Sequence, residues 1–292
     1  MPLLRLMSRL GDRRLSDLHE AVDVMRGAML DVIQERRVAL GEGRPVPQDL
    51  LGVLLTAADD EGRGMTDEEL WEDVHDVMGA GHETTATTTA AALYCISAHP
   101  HVEAALLAEL DAVLGGRAPG YADLERLPYL TACIKEALRL YPAIPVFPRE
   151  AAVDDALPTG HPVSKGDVVF MSSYALGRSP ALWDDPLTYN PARFSPEAEA
   201  ARHRFQFLPF GAGARMCLGA GFAQMSVSLM VATLLQRLRF EPVRPTNELI
   251  PVGYDITMNF APTNGLHMRV TERVPAAQGQ ERSAVQAVAA EV

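Results

Sequence analysis

Apolar residues recur at helical spacing between Leu15 and Val38, at Leu18, Val22, Met25, Met29, Val32 and Ile33, and predict an amphipathic helix. Gly41 to Pro47 reads as a loop, and Ala57 to Gly64 as a polar linker. Thr66 with Glu69 forms a capping-box pattern, and Asp67, Glu68 and Glu69 suit the positive end of a helix. Helical character then runs to about Ala98, with Pro100 closing it. At about 1.5 Å per residue such a helix spans roughly 50 Å. His101 to Leu114 predicts a further amphipathic helix ended by Gly115-Gly116, and Leu127 to Leu140 another. Prolines 142, 145 and 148 impose an extended, stiff segment. Val163 to Leu176 predicts strand–turn–strand around Lys165-Gly166-Asp167. Pro186 to Pro209 shows little periodicity, and Leu218 to Leu238 predicts a long helix. Val252 to Val270 predicts a hairpin turning near Pro262-Thr263-Asn264-Gly265, and Ala276 to Val292 a disordered tail. The predicted architecture is mainly α with small β-sheets, and no repeat interrupts it.

Composition narrows the class. The chain is 48% hydrophobic and 22% charged, as globular proteins are. Its net charge of −12 argues against nucleic acid as a partner. The cysteines, Cys95, Cys133 and Cys217, are far apart and lack a Cys-x-x-Cys pattern, which argues against a disulfide scaffold or zinc site. Cys95 and Cys133 fall on predicted helices and read as core residues. Met1 to Leu10 lacks the long apolar core of a secretory signal, and no run of about 20 apolar residues predicts a membrane span.

Candidate chemistry concentrates in Phe210-Gly211-Ala212-Gly213-Ala214-Arg215-Met216-Cys217-Leu218-Gly219. A helix starting just after Cys217 would aim its free N–H groups toward the sulfur and favour the thiolate. Gly211, Gly213 and Gly219 permit close approach to a flat partner, and Arg215 can pair with an anionic group on it. That layout suits a haem–thiolate site, in which cysteine pushes electron density toward iron. A cysteine among glycines is also compatible with a small apolar residue in a turn. The spacing Phe-x-x-Gly-x-Arg-x-Cys-x-Gly is more specific. It resembles the haem-binding loop of the cytochrome P450 family.

Three more segments resemble that family in the same order. In Ala80-Gly81-His82-Glu83-Thr84-Thr85, mid-helix Gly81 costs about 1 kcal/mol against Ala. By themselves these residues suit either a loosened helix or a solvated acid beside ordinary threonines. The resemblance implies that Glu83 belongs to a proton relay, that Thr84 steadies bound oxygen, and that Ala80 and Gly81 leave room for oxygen and substrate. Glu136 and Arg139 share a helix face. An exposed pair there would contribute little, but Tyr129, Leu130, Ile134, Leu138, Leu140 and Tyr141 surround it with apolar bulk. In the family this pair is buried and joined by a later arginine, which implies a structural Glu136–Arg139–Arg193 network. Ala192 stands where the family's segment carries an acid. The third segment, Pro142 to Arg149, matches one that lines the substrate pocket, here Ile144, Pro145 and Val146 with Ala80. Its arginine, ten positions after Arg139, is implied to pair with a haem propionate, as is Arg215. Phe210, Gly211, Gly213, Gly219 and Ala223 complete the implied cofactor contacts.

The separation of Thr84 and Cys217, 217 − 84 = 133 residues, is usual for the family. The resemblance runs from about Arg14 to Thr271, and departs from the family at Gln224-Met225-Ser226-Val227, where an acid is common. Gly81-His82-Glu83-Thr84, Arg178-Ser179-Pro180, Trp183-Asp184-Asp185 and Leu208-Pro209-Phe210-Gly211 are similar to plant and algal carotenoid ring hydroxylases. The resemblance implies haem b, O2, an apolar small-molecule substrate, and electrons from a redox partner. That partner would be a ferredoxin in a plastid or an NADPH-dependent flavoprotein reductase at the endoplasmic reticulum. The implied reaction inserts one oxygen atom into a C–H bond. Two rivals remain: an electron-independent haem–thiolate isomerase or dehydratase, and an inactive haem-binding fragment. Family members are longer, so residues 1–274 are expected to form a cytochrome P450 domain lacking its N-terminal half, with 275–292 a tail.

Overall fold

The computed structural model describes residues 13–243, 253–254, 258–259 and 266–273. The chain divides into two compact units, Met1–Ala80 and Gly81–Val292.

The first unit holds α1 (Arg13–Gly41), α2 (Leu50–Thr56) and the start of α3 (Asp67–Ser97). Its core is Ile33, Leu70 and Trp71, ringed by Met25, Met29, Leu30, Leu51, Leu54, Leu55 and Met65. Leu18 and Val32, expected on the apolar face of α1, are exposed. The packed stripe instead follows Met25, Met29 and Ile33, which cluster with Leu70, Trp71 and the α2 leucines. The capping box at Thr66 forms as expected. The Thr66 N–H donates to Glu69 Oε2 at 2.8 Å, and the Glu69 N–H to Thr66 Oγ1 at 3.3 Å.

The second unit packs α4 (Pro100–Leu114), α5 (Pro128–Leu140) and the later turns of α3 around one core. On α4, Val102, Leu106, Leu110 and Leu114 recur every fourth residue and are all buried. Gly115 closes that helix in the left-handed region, at φ 57°. Among the described residues, four two-stranded antiparallel sheets follow. β1 (Val146–Glu150) pairs with β4 (Val168–Ser172), and β2 (Asp155–Ala156) with β3 (Pro162–Val163). Ser173–Gly177 is α6 and Pro196–Ala201 is α7. α8 (Ala220–Arg237) leads into β5 (Leu238–Pro242), which pairs with β8 (Met268–Glu272). β6 (Gly253–Tyr254) pairs with β7 (Met258–Asn259).

Three expectations change. Val163 to Leu176 holds the expected strand–turn–strand, over Pro162–Val163 and Val168–Ser172, but its two strands do not form one hairpin and its last residues are helical. The turn at Gly166, φ 92°, separates strands that pair with earlier partners, and the chain then turns helical where Ser172 Oγ accepts the Ala175 N–H. Pro186 to Pro209 is not wholly irregular. Asn190 caps a 3₁₀ turn over Pro191–Phe194 and Ser195 caps α7, each with proline at the first helical position. Val252 to Val270 is not one hairpin either, because its last strand joins β5. The expected turn at Pro262–Gly265 and the tail from Ala276 lie outside the described residues. Among the described residues, no helix is long and apolar enough to cross a membrane.

Candidate functional site

The cysteine loop is built by its own backbone. The Gly211 N–H donates to the Leu208 carbonyl at 3.3 Å and the Met216 N–H to the Gly213 carbonyl at 3.0 Å. The Cys217 N–H closes the loop on the Phe210 carbonyl at 2.9 Å. Gly211 and Gly213 adopt φ 69° and 75°, a region that any side chain would strain. α8 begins at Ala220, and the Ala223 N–H makes its first turn with the Gly219 carbonyl at 2.8 Å. A Cβ on Gly219 would lie 4.0 Å from Cys217 Sγ, so the sulfur sits against the entry to α8. Cys217 is exposed, as are Arg215 and Gly219, and Leu218 is 99% exposed. Phe210 is half-buried and packs on the main core, anchoring the loop from below. The two other cysteines are buried, and burial pushes both thiols up. One sulfur is thus presented outward in a loop that also carries Arg215 and three glycines, which is the donor set a haem–thiolate site needs.

Behind the loop lies a buried ionic network. Glu136 and Arg139 are both fully buried, with Arg139 Nε and Nη2 donating to the two carboxylate oxygens at 2.7 and 2.8 Å. Arg139 Nη1 donates to the Gly177 and Pro186 carbonyls, the latter at 2.6 Å, and Nη2 also to Thr188 at 3.1 Å. All five guanidinium N–H groups thereby find oxygens. Glu136 Oε1 also accepts the Asn190 N–H at 2.8 Å and lies 3.4 Å from Arg193 Nε. Arg193 Nη2 donates to the Asp185 carbonyl at 3.0 Å. Asp185 itself holds φ 44°. The structure therefore brings Glu136, Arg139 and Arg193 together and wraps residues 185–190 around them.

On α3, Ala80, Gly81 and Glu83 are exposed and Thr84 is half-buried. A Cβ on Gly81 would meet nothing within 4 Å. The Thr88 and Thr89 hydroxyls bond back to the helix, donating to the Thr84 and Thr85 carbonyls at 2.8 Å each. α3 stays helical throughout. In the extended segment, Ile144 is half-buried and Val146 is 42% exposed. Pro145 is buried, its carbonyl accepting the Ser172 hydroxyl at 3.2 Å and the Tyr174 N–H at 3.2 Å. Arg149 lies over its neighbour Phe147, 5.5 Å from the ring centre, and donates to the Pro148 carbonyl at 2.8 Å. An open apolar hollow of about 230 Å³ lies between this segment and the approach to the loop, lined by Phe147, Met171, Leu176, Phe205 and Leu208. His99 has Nδ1 2.7 Å from the Cys95 carbonyl, and its ring packs on Tyr189.

Sequence reasoning missed Gly177 and Trp183. A Cβ on Gly177 would lie 2.3 Å from the Arg139 carbonyl oxygen, so only glycine fits there. Trp183 donates its indole N–H to the Leu176 carbonyl at 3.1 Å, and Arg139 lies 5.1 Å from the ring centre. No local periodicity marks either residue, because both roles arise from contacts between separate segments.

Comparison with known proteins agrees with the motifs. The family described as Cytochrome P450 matches residues 2–259. Human cytochrome P450 4F2 is 35% identical over 224 residues, covering 72% of this chain and 43% of that protein. Human cytochrome P450 4F8 is 34% identical over 237 residues, covering 77% of this chain and 46% of that protein. The crystal structure of the cytochrome P450DA heme domain is similar at a TM-score of 0.79 and 32% identity, covering 94% of this chain and 60% of that one. The chain belongs to the cytochrome P450 family. It spans about half the length of the curated relatives it matches.

Proposed function

We propose that this chain carries the thiolate-bearing part of a haem monooxygenase acting on a C–H bond of an apolar small molecule. The observation that carries the reading is the loop Phe210–Gly219, which holds Cys217 outward at the entry to α8. Cys217 would hold the haem iron through its thiolate. Phe210, Gly211, Gly213, Gly219 and Ala223 would contact the macrocycle, and Arg215 and Arg149 would pair with its carboxylates. When bound, the haem supplies O2 activation, with electrons from a ferredoxin or an NADPH-dependent flavoprotein reductase.

The chain's own residues would do the rest. The Phe210 carbonyl, by holding the Cys217 N–H, keeps the thiolate at one orientation. Arg215 and Arg149 would orient the cofactor by charge. Thr84 would hold a proton at its hydroxyl, and Glu83, exposed on the same helix, would exchange protons with solvent. Gly81 and Ala80 leave that face of α3 without bulk. Ile144, Pro145 and Val146 would offer apolar surface to the substrate. The relatives described above do not support the narrower likeness to carotenoid ring hydroxylases, so the proposal stops at an apolar substrate.

The test is reconstitution of the chain with haem, followed by the difference spectrum of the reduced carbon-monoxide complex. A thiolate-type Soret band that disappears in Cys217→Ser supports the assignment. A thiolate-type band that survives Cys217→Ser, or no haem retention by the parent chain, overturns it for this chain. Turnover that needs neither O2 nor reductant would point instead to an isomerase or dehydratase.

A further inference from the structure

The arginine at position 202, which none of the motifs includes, stands between the buried network and the cysteine loop. Its guanidinium lies 4.8 Å from the Trp183 ring centre and 4.4 Å from that of Phe194. Its Nη2 donates to the Arg193 carbonyl. Arg139 lies near the same Trp183 ring, at 5.1 Å, so one indole serves two guanidiniums. Phe194 then meets Phe207 edge to face at 4.7 Å, and Phe207 is three residues before Phe210, whose carbonyl holds Cys217. Gln206 Nε2 adds a bond to the Leu182 carbonyl beside Trp183. Burial works against the charge of Arg202, and so do Arg139 and Arg193, while Glu199 and Glu136 favour it. A cation in such company stays only if its plane is stacked and its N–H groups are used.

We infer that Arg202 is a positioning residue: stacked on Trp183 and Phe194 and bonded to the Arg193 backbone, it fixes the segment that delivers Cys217. Its importance for catalysis rests on the proposed haem site, but its effect on the loop does not. Arg202 couples the arginine that pairs with Glu136 to the chain that becomes the loop. Lysine cannot replace it, because an ammonium lacks both the plane and the fork.

The experiment is amide hydrogen exchange on the full chain without haem, comparing wild type with Arg202→Ala and Arg202→Lys. Exchange in residues 203–217, including the Cys217 amide, should rise by about tenfold in both variants while residues 100–114 keep wild-type protection. Unchanged exchange in 203–217 overturns the inference. So does an equal rise in 100–114, which would make Arg202 a general stabiliser, and so does wild-type behaviour of Arg202→Lys. Failure of haem to bind would leave this result untouched, which separates the two proposals.

Discussion

Arg139 shows how much one side chain can organise. Its five N–H groups reach Glu136 and three carbonyls contributed by residues 177, 186 and 188. Removing the carboxylate leaves a buried, uncompensated guanidinium. Glu136→Ala should therefore lower stability by about 3–5 kcal/mol, read from urea unfolding. The exposed pair Arg44–Glu42 offers the contrast, and Glu42→Ala should change the same measurement by less than about 0.5 kcal/mol. Gly177→Ala drives a methyl against the Arg139 carbonyl and should cost about 1–3 kcal/mol by the same assay. The glutamate and arginine were legible in the sequence, since three-residue spacing on a helix flanked by apolar residues implies a shared buried face. Gly177 was not, because its constraint comes from a backbone 38 positions away in the chain.

At the scale of elements, local backbone chemistry decides the loop, and side-chain pairing decides the first unit. Alanine at Gly211 or Gly213 must enter the left-handed region. Each substitution should lower stability by about 1 kcal/mol in thermal unfolding, with greater loss of protection at the Cys217 amide than elsewhere. In the first unit, Arg36 contacts Asp49 at 2.5 and 2.7 Å while Asp49 caps α2 through the Gly52 N–H at 2.9 Å. The Arg36 hydrogen bond, then the Gly52 N–H, lower the Asp49 carboxyl from 3.8 to about 2. The folded state thus binds this proton more weakly than the unfolded one. The contact's contribution is whole above the unfolded value and is lost as pH falls through the folded one. Protection of the Gly52 amide should therefore fall between about pH 4 and pH 2, and Arg36→Ala should flatten that profile, as exchange followed by NMR would show. The Thr66 capping box and the Gly115 and Gly166 turns were legible because they are local patterns, whereas the caps at Asp49, Ser172, Asn190 and Ser195 begin helices too short to show a periodicity. The pairing of β4 with β1 and of β5 with β8 was not, since a strand's own alternation does not name its partner.

At the scale of the whole molecule, burial sorts chemically identical groups. Of the three cysteines, only Cys217 is exposed. Maleimide should add once to the native chain and three times after denaturation, and mass spectrometry of Cys217→Ser should show no rapid native adduct. The sequence by itself determined the long helices, the capping box at Thr66, the cysteine loop and the membership in the family that the loop's spacing signals. Those features rest on hydrogen bonds and periodicities spanning fewer than about ten residues, which a linear reading can follow. Tertiary structure alone decided that Gly177 must be glycine, that Trp183 serves two arginines, and that residues 185–190 enclose Arg139. Each of those depends on which distant segments share one volume, and close packing, not local pattern, settles that.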